Sequence, residues 1–220
     1  MSKLPLPAPL PPEDRTVGQL VAESLKLYGD NLWRSLALGV SVMAINQVTA
    51  GHDTAFQAFV LAACSPLLAA SFAGASAIVG GVGPSARDAA RAIVVGAIVF
   101  LPAAFLTLLY VLPAVAWLAL VGLVVPVLVI ERLGTADALR RAVELARADY
   151  THAVASLATL VILFGLVKLT LILLLRDLGE AGERAALGLG DLVVSPLLFL
   201  GAALLYFDQA ARVRSTSATT

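Results

Sequence analysis

The sequence predicts an all-α, polytopic transmembrane helical bundle of about six spans, with amphipathic helices along its inner face. Composition gives the first reason. The 220 residues are 60% hydrophobic and 14% charged, with a mean hydropathy of +0.92. Soluble domains run nearer half apolar and a quarter charged. The second reason is that windows of roughly 20 mainly apolar residues recur along the chain. The third is that Lys and Arg in the short connections fall on alternate sides.

The prolines at 5, 7, 9, 11 and 12 break any continuous apolar helix, so no cleavable signal is expected there. Residues 1–15 read as a disordered, proline-rich tail, 16–214 as one membrane domain and 215–220 as a second disordered tail. Thr16 and Gln19 have the spacing of a capping box. From there Val17, Leu20, Val21, Ser24, Tyr28 and Leu32 follow a helical stripe into the first span.

The candidate spans are 32–48, 55–79, 92–112, 114–130, 153–175 and 192–210. The first is the least apolar, because Arg34, Asn46 and Gln47 lie near its ends. The third and fourth are separated only by Pro113 and read as a tight hairpin. A short helix is expected to begin at Ser85, with Asp88 at its third position. The chain can then be parsed three times as a surface helix followed by two spans.

Orientation follows from charge. Lys3, Arg15, Lys26 and Arg34 precede or open the first span, Arg87 and Arg91 precede the third, and Arg132, Arg140, Arg141 and Arg147 follow the fourth. Arg212 and Arg214 close the chain, whereas "AGHDT" and the Pro113 turn carry no Lys or Arg and "RDLGEAGERAALGLGD" has Arg176 and Arg184 among four acids. The positive-inside rule then places both termini in the cytoplasm of a multi-pass protein of the cell (inner) membrane.

"ERLGTADALRRAVELARADY" is an inner-face helix on this reading. Thr135 is placed to cap it, and Leu139, Ala142, Val143, Ala146 and Tyr150 share one side. Asp137 with Arg141 and Arg140 with Glu144 have i, i+4 spacing on the other side. Such a helix either lies in the headgroup layer, its arginines toward anionic lipid, or simply connects spans against the bundle.

Catalytic, cofactor-binding and metal-ligating residues are not found. "GGVGPS" lacks the Lys of a phosphate loop, His52 and His152 fall on opposite faces, and no serine sits in a nucleophile elbow. Cys64 is alone and sits in an apolar run, as a small buried hydrophobe would. A formal net charge of 0 argues against nucleic acid as a partner.

Lys168 is the sharpest residue, set within "FGLVKLTLILLL" about two helical turns from the outer end of its span. It either snorkels to the headgroups or marks a site on a cavity, paired with Asp191. Pro66, Pro102, Pro126 and Pro196 are expected to kink their spans. The small residues Ser71, Gly74, Ala75 and Ala77 permit close helix packing. Trp33, Tyr110, Trp117 and Tyr206 stand where an interfacial aromatic belt would be.

The stretches "TVGQLVAESLKLYGDNLWRSL", "VVPVLVIERLGTADALRRAVELARADYTHAV" and "LLYFDQAAR" together resemble a family of bacterial and archaeal integral membrane proteins. It is the family named for the membrane domain of glycerophosphoryl diester phosphodiesterase, with its YciC-like uncharacterised relatives. Glu131, Arg140, Arg141, Tyr206, Phe207 and Asp208 carry the likeness, while Ala142 and Val143 stand where Ser or Trp is frequent. In the full-length enzymes such a portion accompanies a separate soluble catalytic domain, which the residues outside these spans are too few to supply. The resemblance therefore implies no activity for this chain. Asp208 is placed to pair with an inner arginine such as Arg140.

The expected function is a non-catalytic membrane module that scaffolds unknown protein partners or senses its lipid environment, with no cofactor. The alternative is a small transporter or lipid-handling protein using a cavity near Lys168. A tightly packed interior with Lys168 pointing at lipid or headgroups favours the first reading, and a continuous water-accessible cavity reaching Lys168 favours the second.

Overall fold

In a computed structural model, residues 15–175, 177 and 179–218 are described. They form helices joined by short turns, with no strand among them. The expected tails at 1–14 and 219–220 lie outside the described residues.

Helix α1 (Val17–Asp30) opens on the expected capping box. The Gln19 amide donates to Thr16 Oγ1, and the Thr16 amide donates to Gln19 Oε1. Helix α2 (Leu32–Thr49) follows without a gap wide enough to be a loop. The expected span 55–79 is two helices, α3 (Thr54–Ala63) and α4 (Ser65–Gly80), bent by 57° at Cys64. Pro66 explains the break, because it has no amide for the Ala62 carbonyl. Gly81, left-handed at φ 60°, terminates α4.

Helix α5 (Ala86–Leu106) is capped by Ser85 and continues straight into its span. The surface helix expected at Ser85 is therefore the first turn of a span, which removes one unit of the threefold parse. The next turn falls at Thr107–Tyr110, ahead of Pro113, so α6 (Val111–Val121) begins earlier than expected. Helix α7 (Val124–Ile130) continues α6 after an interruption at Gly122. Pro126 again explains it. The Gly122 carbonyl, denied its usual donor, takes the Val125 amide at 3.3 Å.

Helix α8 (Thr135–Ala148) starts one residue before expectation. Gly134 occupies the cap position without a side-chain bond. Helix α9 (Tyr150–Leu175) and the 40-residue α10 (Gly179–Ala218) complete the fold. The second tail, expected from 215, continues as helix through Ala218.

Helix α10 packs against α1, α2, α4, α8 and α9, while α4, α5 and α7 form the other half of the bundle. Its contact with α2 is the closest. A Cβ on Gly39 would lie 2.2 Å from the Leu192 carbonyl oxygen. That carbonyl is the one Pro196 leaves without a helical donor, so bare glycine and freed oxygen face each other.

Four helical segments are long and apolar enough to cross a membrane: Ala86–Leu106, Val111–Ile130, Tyr150–Leu175 and Arg184–Ser215. Counting the bent α3–α4 pair as one span makes five. The fold is thus all-helical and compatible with a multi-pass membrane protein, on four or five spans by length and composition. Helix α2, with Arg34, Asn46 and Gln47, is not among them.

Arg15, Lys26, Arg34, Arg87, Arg91, Arg132, Arg140, Arg141, Arg147, Arg212 and Arg214 collect at the end of the bundle bearing α1 and α8, here the basic end. The α2–α3 turn with His52, the α5–α6 turn and the α9–α10 connection make the opposite end. His152, at the start of α9, lies at the basic end.

Candidate functional site: an apolar cavity and a buried ion pair

Between α2, α4, α5, α6, α9 and α10 lies an open-sided cavity of about 220 Å³. Val42, Phe72, Phe100, Leu118, Val161 and Leu198 are among its walls, and every lining residue is apolar or glycine. A cavity of about 150 Å³ with such a lining stays dry and admits benzene. This space is larger and equally unsuited to water. Few core side chains come from α9, where Ala153, Ser156 and Leu160 are buried. It rests chiefly on α10, with α6 and α1 beside its first half. Ile162, Leu163, Leu166 and Leu169 face outward.

Toward the opposite end, the same helix faces turn polar. Lys168 follows Val161 by about two turns, Asp191 precedes Leu198 by the same distance, and Asn46 is one turn beyond Val42. The Lys168 ammonium lies 2.8 Å from Asp191 Oδ1 as an ion pair. Asn46 Nδ2 donates to Asp191 Oδ2 at 2.8 Å. The Asp191 side chain is 1% exposed and that of Lys168 24%. The ammonium also lies 5.5 Å from the centre of the Phe164 ring. Of the alternatives for Lys168, the geometry is that of a paired lysine. Asn46, prominent in the sequence only as a polar residue near a span end, is the partner that sequence reasoning missed.

The remaining polar residues gather at the basic end. Arg15, a residue expected in the tail, pairs with the buried Asp208 and with Glu23 at 2.8 Å. Asp208 therefore does not pair with Arg140, which points away from the bundle. The nearer cation wins, because α1 lies directly on α10. Tyr206 donates to Glu131 Oε1 at 2.7 Å, joining α10 to the α7–α8 turn. Arg141 reaches Glu131 at 3.5 Å and Glu144 at 3.0 Å, in place of the expected Asp137 and Arg140–Glu144 pairings. Burial lowers the Arg141 pKa, but the Glu144 and Glu131 carboxylates outweigh it and leave it raised.

Asp149 caps α9. Its Oδ1 accepts the His152 amide at 2.9 Å, and its Oδ2 meets Arg212 at 2.8 Å. Burial pushes this carboxyl up, yet the His152 amide, the Thr151 hydroxyl and Arg212 together hold it below its ordinary value.

Helix α8 packs through Ala138, Ala142, Leu145 and Ala146. Leu139 and Val143, expected to share one side with Ala142 and Ala146, instead line an outer groove with Arg140 and Arg147. Small alanines allow the close approach, which rotates the larger side chains outward. Two residues expected in an aromatic belt are also internal. Tyr206 is buried, and Trp117 donates to the Val99 carbonyl at 2.9 Å beside the turn that Pro102 disrupts. Trp33 and Tyr110 remain exposed.

Among the described residues, no three His, Cys, Asp or Glu side chains are grouped so that they could hold a metal. The model of a family of unknown function, DUF6159, matches residues 46–206. No curated protein and no solved structure matches the chain.

Proposed function

We propose that this chain, which belongs to the DUF6159 family of unknown function, is a non-catalytic membrane module that takes a lipid acyl chain into its central cavity. The observation that carries this reading is the wholly apolar lining of a 220 Å³ space open at its side. In a bilayer the molecules at hand to fill such a space are hydrocarbon chains. Val161 lies near the middle of α9, at the depth where chain ends meet. The cavity supports the lipid-handling alternative over a tightly packed scaffold, and its lack of polar lining speaks against passage of a polar solute.

On this reading α2 is a further pass, making six, and both described chain ends lie at the basic end. The positive-inside rule puts that end in the cytoplasm of a cell membrane. Helix α8 then lies in the headgroup layer, with Leu139 and Val143 in the acyl boundary and Arg140 and Arg147 toward anionic lipid. The resemblance to the phosphodiesterase membrane-domain and YciC-like proteins fits the same picture of a membrane portion without chemistry of its own.

The test uses the full chain in nanodiscs with a phospholipid carrying a diazirine at the end of one acyl chain. Photolabelling is expected to concentrate on Val161, Leu198 and Phe199, and Ala202→Phe, which fills the cavity, should abolish it there. Labelling spread evenly over outward-facing Ile162 and Leu166, with no enrichment in the cavity, would refute the proposal.

A further inference from the structure

Resting on that reading, we infer that the cavity and the Lys168–Asp191 pair form one phospholipid site, with the lipid's phosphodiester held by the Lys168 ammonium. Each of three helices carries the same sequence of surfaces. Along α9 it is Leu157, Val161, Phe164 and Lys168; along α10, Ala202, Leu198, Ser195 and Asp191; along α2, Val42 and Asn46. Apolar lining gives way to polar groups over about 10 Å, as a lipid changes from chain to head.

The polar end is built to hold an oxyanion without storing unpaired charge. Asp191 faces the Lys168 ammonium as an ion pair on one oxygen and accepts the Asn46 amide on the other. An ammonium has three donors, and only one direction is taken by Asp191. The Lys168 side chain as a whole is only partly buried. Ser195 supplies the second observation. Its side chain is fully buried on the same face of α10, and its hydroxyl has no hydrogen-bond partner among the described residues.

A phosphodiester fits this setting better than a fatty-acid carboxylate. The Asp191 carboxylate disfavours the ionised form of a second carboxylate and works against the Lys168 ammonium there, whereas a phosphodiester, a much stronger acid, remains ionised either way. Lys168 then holds two anions, one permanent and internal, the other exchangeable from the adjoining leaflet.

The experiment compares dioleoyl phosphatidylglycerol, dioleoylglycerol and oleate binding to the full chain by native mass spectrometry from detergent micelles. Wild type is expected to bind phosphatidylglycerol about ten-fold more tightly than dioleoylglycerol, the value of a charge-assisted contact. Removing Lys168 alone leaves Asp191 buried without its cation, so the informative variant is Lys168→Gln with Asp191→Asn. It should bind both diacyl lipids equally, at the dioleoylglycerol level, while Lys168→Arg keeps the preference. Ala202→Phe should lose both lipids. Equal wild-type affinity for the two diacyl lipids, tighter binding of oleate, or a preference surviving in the double variant would overturn the headgroup assignment while leaving the chain site standing. Failure of the wild type to bind any of the three would overturn the chain site itself.

Discussion

Replacing Lys168 with Leu should destabilise the fold far more than replacing Asp191 with Asn. The asymmetry comes from burial. Asp191 is sealed at 1% exposure, so without the ammonium its charge remains in the protein with only the Asn46 amide to stabilise it. Breaking a buried pair in this way costs about 3–5 kcal/mol. The 24% exposure of Lys168 puts the expected loss near the low end, about 3 kcal/mol. In Asp191→Asn the lysine is the orphan, but its four-carbon stem can carry the charge to the headgroups, so the loss should be about 1 kcal/mol. Lys168→Leu combined with Asp191→Asn should resemble Asp191→Asn alone, giving a coupling of about 3 kcal/mol in magnitude. Reversible unfolding of the full chain by SDS in mixed micelles measures all three. Equal losses for the single variants, or a Lys168→Leu loss within 0.5 kcal/mol of zero, would refute the picture of a sealed carboxylate depending on its lysine.

Gly39→Ala should cost about 1–3 kcal/mol or prevent folding, since its Cβ meets the Leu192 carbonyl backbone at 2.2 Å. Gly29→Ala, with nothing within 4 Å, should be neutral or stabilise by up to about 1 kcal/mol in the same assay. The Asp149 carboxyl is depressed in the folded state from its ordinary 3.8. Its contribution is therefore present above that value and is lost as pH falls through the lower folded pKa. Asp149→Asn, which keeps the cap oxygen, should flatten that acid limb in an unfolding series from pH 5 downward. A cysteine at Gly51 should react with an impermeant maleimide added outside intact cells while one at Gly134 stays protected; the reverse pattern would invert the proposed orientation.

The helices are legible in the sequence because hydrocarbon imposes length and apolarity, and Thr16, Ser85 and the span 153–175 announce themselves directly. The interruptions are half legible. Pro66 and Pro126 forecast a disturbance, but whether a helix kinks or separates depends on what meets the freed carbonyl. Lys168 and Asp191 can be matched from sequence because a charge at that depth demands a counter-ion. Arg15 as the partner of Asp208 cannot, since the spacing between them is set by how α1 folds back onto α10. The division of α8 between its two faces is missed for a related reason: Leu139 and Val143 separate from Ala142 and Ala146. Hydrophobicity favours burying Leu139, yet four alanine and leucine positions offer the closer fit. The cavity has no sequence signature at all, because it is the space left where six helices do not quite meet.

The central position of α10 also bears on how the molecule assembles during synthesis. Helix α10 leaves the ribosome after α1 through α9, yet it lies against α1, α2, α4, α8 and α9. Until it arrives, the glycine face of α2 and the carboxylate-seeking lysine of α9 wait in lipid without their counterparts. The earlier helices can be threaded one after another, but they lock together only when this strut slides in among them.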